Sequence, residues 1–147
     1  MDQKSKYDGL YSEFPEITHR GFGGFAIGDG WYAIIRTLLA TITRYVKSHN
    51  ESVAYRKQQL ATGKVDSYPE ELLTEIEMPV IDQVKEKFGG LRFYYRGGDK
   101  KIRHWVEFAE AMSFNVCEEC GAPGERRDAG WVRTLCDHHA EEHARVD

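Results

Sequence analysis

The residues with the clearest chemical potential lie near the C-terminus, in the run CEECGAPGERRDAGWVRTLCDHHAEEH. Cys117 and Cys120 form a C-x2-C knuckle, Cys136 follows after fifteen intervening residues, and His139 after two more. Three thiolates and a neutral imidazole match the tetrahedral ligand set of zinc. The C-x2-H spacing puts Cys136 and His139 on one helical turn and makes His139 the expected fourth ligand, with His138 and His143 as alternatives. Four protein ligands close the shell and leave no position for a reactive water, so the expected zinc is structural. The motifs of zinc enzymes are incomplete: a deaminase pairs H-x-E with P-C-x-x-C, and here Val116 rather than proline precedes Cys117. The stretch from His139 to His143 has the spacing of a zinc protease helix without its glutamate. An odd number of cysteines, three in all and close together, fits a reducing compartment and a metal site better than a disulfide framework.

A second candidate is the run VIDQVKEKFGGLRFYYR, residues 80–96. Two β-prone segments flank Gly89 and Gly90, which suit a two-residue hairpin turn. That turn pairs Phe88 with Leu91, Lys87 with Arg92, Glu86 with Phe93, Lys85 with Tyr94 and Val84 with Tyr95. Alternation then assigns Val84, Phe88, Leu91, Phe93 and Tyr95 to the core and Lys85, Lys87, Arg92, Tyr94 and Arg96 to the opposite face. Like charges facing each other across a hairpin are destabilising. Arginine offers a fork for phosphate oxygens, lysine a point charge, and tyrosine a ring on which a base can stack. The face therefore suits an anionic, nucleotide-like ligand. The plainer alternative is a solvated sheet face partly neutralised by residues 66–79, which hold five carboxylates and no lysine or arginine.

Residues 21–30, GFGGFAIGDG, hold five glycines. A glycine-rich loop entering a helix can present N–H groups to an anion. This one lacks the ending of a phosphate-binding loop and a clear preceding strand, so a tight turn allowing close packing is the stronger expectation. No nucleophile, acid or base is grouped with either candidate. His19, His49 and His104 are isolated, and the adjacent Glu70 and Glu71 fit a solvated short helix. Enzymatic activity is not expected.

The elements that must position these residues follow from periodicity. Residues 1–20 read as an irregular arm anchored by Tyr7, Leu10, Tyr11 and Phe14. Asp29 is the expected N-cap of a core helix over about 30–48, with Trp31, Ile34, Ile35, Leu38, Leu39, Ile42, Tyr45 and Val46 on one stripe. A second, polar helix is expected over 51–61, and a short acidic one after Pro69. Asp99 should cap a helix running to Ser113, buried through Ile102, Trp105, Val106, Ala109 and Met112. Its first turn carries Lys100, Lys101 and Arg103 against the helix dipole. The fold class is therefore α+β: a long core helix, an antiparallel sheet built on a β-hairpin, and a C-terminal zinc finger. The organisation is one compact unit, with an α+β part over 1–113 and the finger over 114–147.

Composition sets the outer bounds. A chain of 147 residues with 41% hydrophobic and 12% aromatic content has the material for a core, which excludes wholesale disorder. No apolar run is long enough to span a membrane, and the start lacks a secretory signal, so a cytoplasmic location is expected. The net charge of -4 disfavours a general nucleic-acid binder. Residues 81–105, however, concentrate seven basic against three acidic side chains.

Knuckle, hairpin and helix-borne ligands resemble the treble-clef class of zinc finger. Together, GDGWYAIIRTLLATI, VKEKFGGLRFYYRGGD and the cysteine cluster resemble a group of small proteins of tailed phages and prophages. That resemblance implies a phage accessory protein acting in the host bacterial cytoplasm, where counter-defence by holding a nucleotide signal without cleaving it is the concrete expectation. The alternatives are a nucleic-acid-binding regulator and an adaptor that inhibits a host protein. A homo-oligomer is compatible with nucleotide binding, which often uses a dimer interface.

Overall fold

The computed structural model describes residues 5–146. The chain runs α1 (Gly9–Glu13), β1 (Phe25–Ala26), α2 (Tyr32–Ala61), β2 (Val80–Lys87), β3 (Gly90–Arg96), α3 (Lys100–Ser113), β4 (Glu125–Ala129), β5 (Trp131–Leu135) and α4 (Asp137–Val146), with short 3-10 turns between. It is an α+β fold with a three-stranded sheet and a separate two-stranded hairpin.

One helix replaces the two expected between residues 30 and 61. No glycine or proline interrupts α2 across its 30 residues, and three polar side chains of its middle are engaged by the chain that follows. Asn50 receives a hydrogen bond from the Ile76 N–H (2.8 Å) and donates to the Ile76 carbonyl (3.0 Å). His49 meets the Thr74 carbonyl, and Arg56 donates to that of Leu72, both at 2.8 Å. The acidic segment is thereby strapped to α2. Asp29 is not a side-chain cap; it opens a 3-10 turn that leads into the helix. Asp99 does cap α3, accepting from the Ile102 N–H at 3.0 Å, and also accepts from the Tyr45 hydroxyl at 2.6 Å. Lys101, opposed to the α3 dipole, lies over the rings of Tyr45 and Trp105.

Ile35, Leu39, Ile42 and Val46 of α2 pack with Val84, Leu91 and Phe93 of the hairpin and Ile102 and Val106 of α3. Tyr7, Leu10 and Phe14 of the arm are buried in the same core. Met112 is not: with Phe108 and Trp105 it lines an open apolar groove between α2 and α3.

The sheet order is β1-β2-β3, with β1 parallel to β2 and β3 antiparallel, so the sheet is mixed rather than purely antiparallel. The hairpin register also differs from expectation. Lys85 opposes Arg92, Val84 opposes Phe93, and Lys87 opposes Gly90. The two turn residues are Phe88 and Gly89, with φ of 53° and 85°. Gly90 is a glycine for another reason: a Cβ there would sit 2.7 Å from Cε1 of the Phe114 ring. Because the slip spans two residues, every side chain except Phe88 keeps its expected face. A bulge between Ile81 and Gln83 leaves Asp82 unpaired and lets both Ile81 and Val84 point inward. The free edge of β3 is covered by α3. The Leu91 and Phe93 N–H groups donate to Ser113 Oγ (2.8 Å) and the Glu110 carboxylate (2.9 Å).

Candidate metal centre and basic hairpin face

The knuckle residues Cys117 and Cys120, Cys136 after β5 and His139 in the first turn of α4 converge, with donor atoms all within 4.8 Å of one another. Cys120 Sγ and Cys136 Sγ are 3.8 Å apart. His139 turns Nδ1 to the thiols, 3.3 Å from Cys136 Sγ and 3.6 Å from Cys117 Sγ. Burial alone would raise the Cys117 thiol. The main-chain N–H groups of Cys136, Cys120 and Glu119 outweigh it and bring the thiol down to about 6, which favours the ligating thiolate. These four residues can hold a metal ion, and their soft donors and closed geometry fit a structural one.

The two alternative histidines have other roles. His138 is exposed and pairs with Glu142 at 3.2 Å, in a second His138, His139 and Glu142 group outside the thiol set. His143 Nε2 meets Glu119 Oε1 at 2.5 Å, and Arg133 reaches both of them. Glu119 Oε2 lies 3.5 Å from Nε2 of His139, the ring nitrogen turned away from the thiols. Burial alone would raise the Glu119 carboxyl. The His143 hydrogen bond and the charges of His143, Arg133 and His139 outweigh that and hold it below its ordinary value. A carboxylate on the far nitrogen of a ligating imidazole fixes tautomer and ring orientation. Nothing in the ligand spacing signals this role for Glu119. Its place inside the C-x2-C knuckle is the one clue.

The glycine-rich loop packs against the knuckle, and two of its N–H groups are taken by Glu118. Gly30 donates its N–H to the Glu118 carbonyl at 2.7 Å, and Gly28 donates to the Glu118 carboxylate at 2.9 Å. A Cβ on Gly30 would lie 2.6 Å from the Glu118 carbonyl atoms, and one on Gly28 2.5 Å from the same oxygen. Trp31, fully buried, adds a bond from Nε1 to the Val116 carbonyl at 2.8 Å. These contacts tie the metal centre to the start of α2.

On the hairpin, Lys85 and Arg92 are half-buried cross-strand neighbours, and Lys87 and Tyr94 are exposed beside them. Lys85 Nζ stands 5.9 Å from the centre of the Tyr94 ring. Among the described residues, Lys85, Lys87 and Arg92 form no ion pair with a carboxylate. Arg96 differs: the bulge delivers Asp82 to it at 2.8 Å, which neutralises that end of the strip. The acidic segment, strapped to α2, does not supply the neutralisation expected of it. His104 is exposed on α3 and stands apart from these contacts.

Beyond the strip lies a feature not legible beforehand. Phe88 at the β2–β3 turn and Trp131 at the β4–β5 turn are 61% and 77% exposed and line one small cleft. Among the described residues, no helix is long and apolar enough to cross a membrane. Comparison with family models, curated proteins and solved structures finds no match for this chain.

Proposed function

We propose that this chain is a zinc-stabilised binding protein, without catalytic activity, whose hairpin face takes a phosphorylated, base-containing ligand. The observation that carries the reading is the Lys85 and Arg92 pair. Two cations oppose each other, half-buried and, among the described residues, without a carboxylate partner, next to an exposed aromatic ring. A phosphate between them would turn a repulsive contact into two charge-assisted hydrogen bonds. Lys85, Lys87, Arg92 and Tyr94 are the contact residues, and Arg96 is held by Asp82 at the margin.

Zinc is the ion of this reading because a tetrahedron with bonds of about 2.0–2.3 Å has edges of roughly 3.3–3.8 Å. Three of the donor-to-donor separations, 3.3, 3.6 and 3.8 Å, fall in that range. The concrete biological form is sequestration of a nucleotide signal in a bacterial cytoplasm as phage counter-defence. Its support is the resemblance of the sequence motifs together with this site.

Native mass spectrometry of the protein purified from bacteria tests the reading, since one spectrum reports zinc, subunit count and any retained nucleotide. Wild type should carry one zinc ion and a nucleotide. Arg92→Ala should keep the zinc and lose the nucleotide. Equal nucleotide retention in Arg92→Ala refutes the site.

A further inference from the structure

The two hairpin tips lengthen the proposed site, and we infer that its ligand is a single-stranded oligonucleotide whose bases stack on Phe88 and Trp131. This rests on the reading of the hairpin face as a phosphate site and specifies the ligand class.

The first observation is conformational. Phe88 is the only non-glycine residue with positive φ among the described residues. With Gly89 also positive, the turn has the backbone of type I′, which favours Asn-Gly and penalises a bulky side chain. Such an outlier is ordinarily tolerated because the side chain packs. Here the ring is 61% exposed and gains little burial. Local strain kept at an exposed aromatic points to a contact outside the chain.

The second observation is preorganisation. Glu86 Oε2 accepts the Gly89 N–H at 2.7 Å, Arg126 Nε donates to the Phe88 carbonyl at 3.0 Å, and Thr134 Oγ1 donates to the Gly89 carbonyl at 2.5 Å. The turn is held from both sides, two of the three clasps coming from the metal-bearing part of the chain. These bonds fix the backbone under the ring and leave its surface open.

The third is the company the ring keeps. Phe88 shares a cleft of about 220 Å³ with Glu86, Gly130, Trp131 and Val132. Lys87 Nζ lies 5.6 Å from the Phe88 ring centre, and Arg126 stands at its carbonyl. Glu86 is the carboxylate in the cleft, and one of its oxygens is engaged by Gly89. Lys87 is also the end of the basic strip, and its contact with the Phe88 ring joins Tyr94, Lys85 and Arg92 to the turn, whose cleft Trp131 shares. At about 3.3 Å per strand residue, Tyr94 and the turn are roughly 15 Å apart. A mononucleotide cannot cover that span, whereas a short single strand can. Aromatic platforms beside a cationic track are how proteins hold single strands without reading sequence.

The test is fluorescence anisotropy with a fluorescein-labelled thymidine strand of about ten nucleotides, competed by unlabelled strand and by AMP. Wild type should bind the strand at least about tenfold more tightly than AMP. Phe88→Asn and Trp131→Ala should each weaken strand binding by roughly 5- to 150-fold. Phe88→Asn should do so while raising the melting temperature, because asparagine relieves the turn. Arg92→Ala should weaken strand and AMP together. If Phe88→Asn and Trp131→Ala both bind the strand within about twofold of wild type while Arg92→Ala loses both ligands, the oligonucleotide inference falls and the phosphate site stands. If Arg92→Ala has no effect on AMP, or if wild type binds neither probe, both fall.

Discussion

Replacing Gly30 by alanine is the sharpest available test of how the metal centre is held. A Cβ at this position lies 2.6 Å from the Glu118 carbonyl carbon and oxygen and meets the Cys117 carbonyl as well. Ordinary contact would require these atoms to retreat by about 1 Å, and they are backbone, which cannot rotate away. The retreat also breaks the Gly30 to Glu118 hydrogen bond of 2.7 Å. Its net loss is worth about 1 kcal/mol, and overpacking adds about 1–3 kcal/mol. The expected destabilisation is thus about 2–4 kcal/mol, or roughly a 6–12 °C fall in melting temperature for a chain of this size.

The same movement carries Cys117 and Cys120 away from Cys136 and His139, so the metal should also leave faster. Urea titrations with and without a chelator separate the two effects. In metal-loaded protein Gly30→Ala should show the full loss, and a chromogenic chelator should extract its metal more than about tenfold faster than from wild type. Without metal the two proteins should converge, because the knuckle no longer presses against the loop. Gly9→Ala is the control. Gly9 has a helical φ of -66° and open space around its Cα, so alanine should be neutral or mildly stabilising there. A Gly30→Ala protein with wild-type midpoint and wild-type metal release would refute the argument that this loop positions the knuckle.

Two further outcomes follow from the geometry. Glu119→Gln should weaken metal affinity by about 10- to 100-fold while a cobalt-substituted sample keeps the absorption of a tetrahedral site; unchanged affinity would show that the contact to His139 does not orient it. At high pH, burial and the hydrogen bond to Asp99 push the Tyr45 phenol up to about 12. The folded state therefore prefers the neutral phenol, and this stabilisation is complete below the ordinary value near 10 and lost as pH rises from about 10 towards 12. Urea midpoints of Tyr45→Phe should be lower than wild type at neutral pH and fall less steeply over that window, whereas parallel curves would contradict the assignment.

The metal quartet was legible in the sequence because its chemistry and most of its spacing are local: a knuckle and a helix turn each deliver two ligands. The basic face was legible for a different reason. Alternation has period two, so assigning the turn to Gly89 and Gly90 instead of Phe88 and Gly89 moved the register by two residues and left Lys85, Lys87, Arg92 and Tyr94 on one face. The turn itself is not legible because Gly90 answers to the Phe114 ring, a partner 24 positions away, and not to backbone conformation. The length of α2 was hidden likewise. His49, Asn50 and Arg56 look like a polar boundary until residues 72–76 are laid across them. What sequence could not convey was tertiary: which residue each polar or glycine position serves.

That tertiary layer also gives a structural metal a route to the proposed binding face, which it does not touch. The finger is short of large buried side chains: among its described residues, Leu135 is the buried aliphatic and the polar Thr134 is fully buried beside it. A segment so poor in core depends on its metal for order. Its hairpin supplies the Thr134 and Arg126 bonds to the Phe88–Gly89 turn and contributes Trp131 to the cleft. Loss of the metal should therefore release a turn that is under conformational strain, and that turn carries an exposed ring at the end of the basic strip. On the proposed reading, a metal ion in this arrangement would be the rigid support of one wall of the ligand site, and its effect on binding should be read in the order of the two tips.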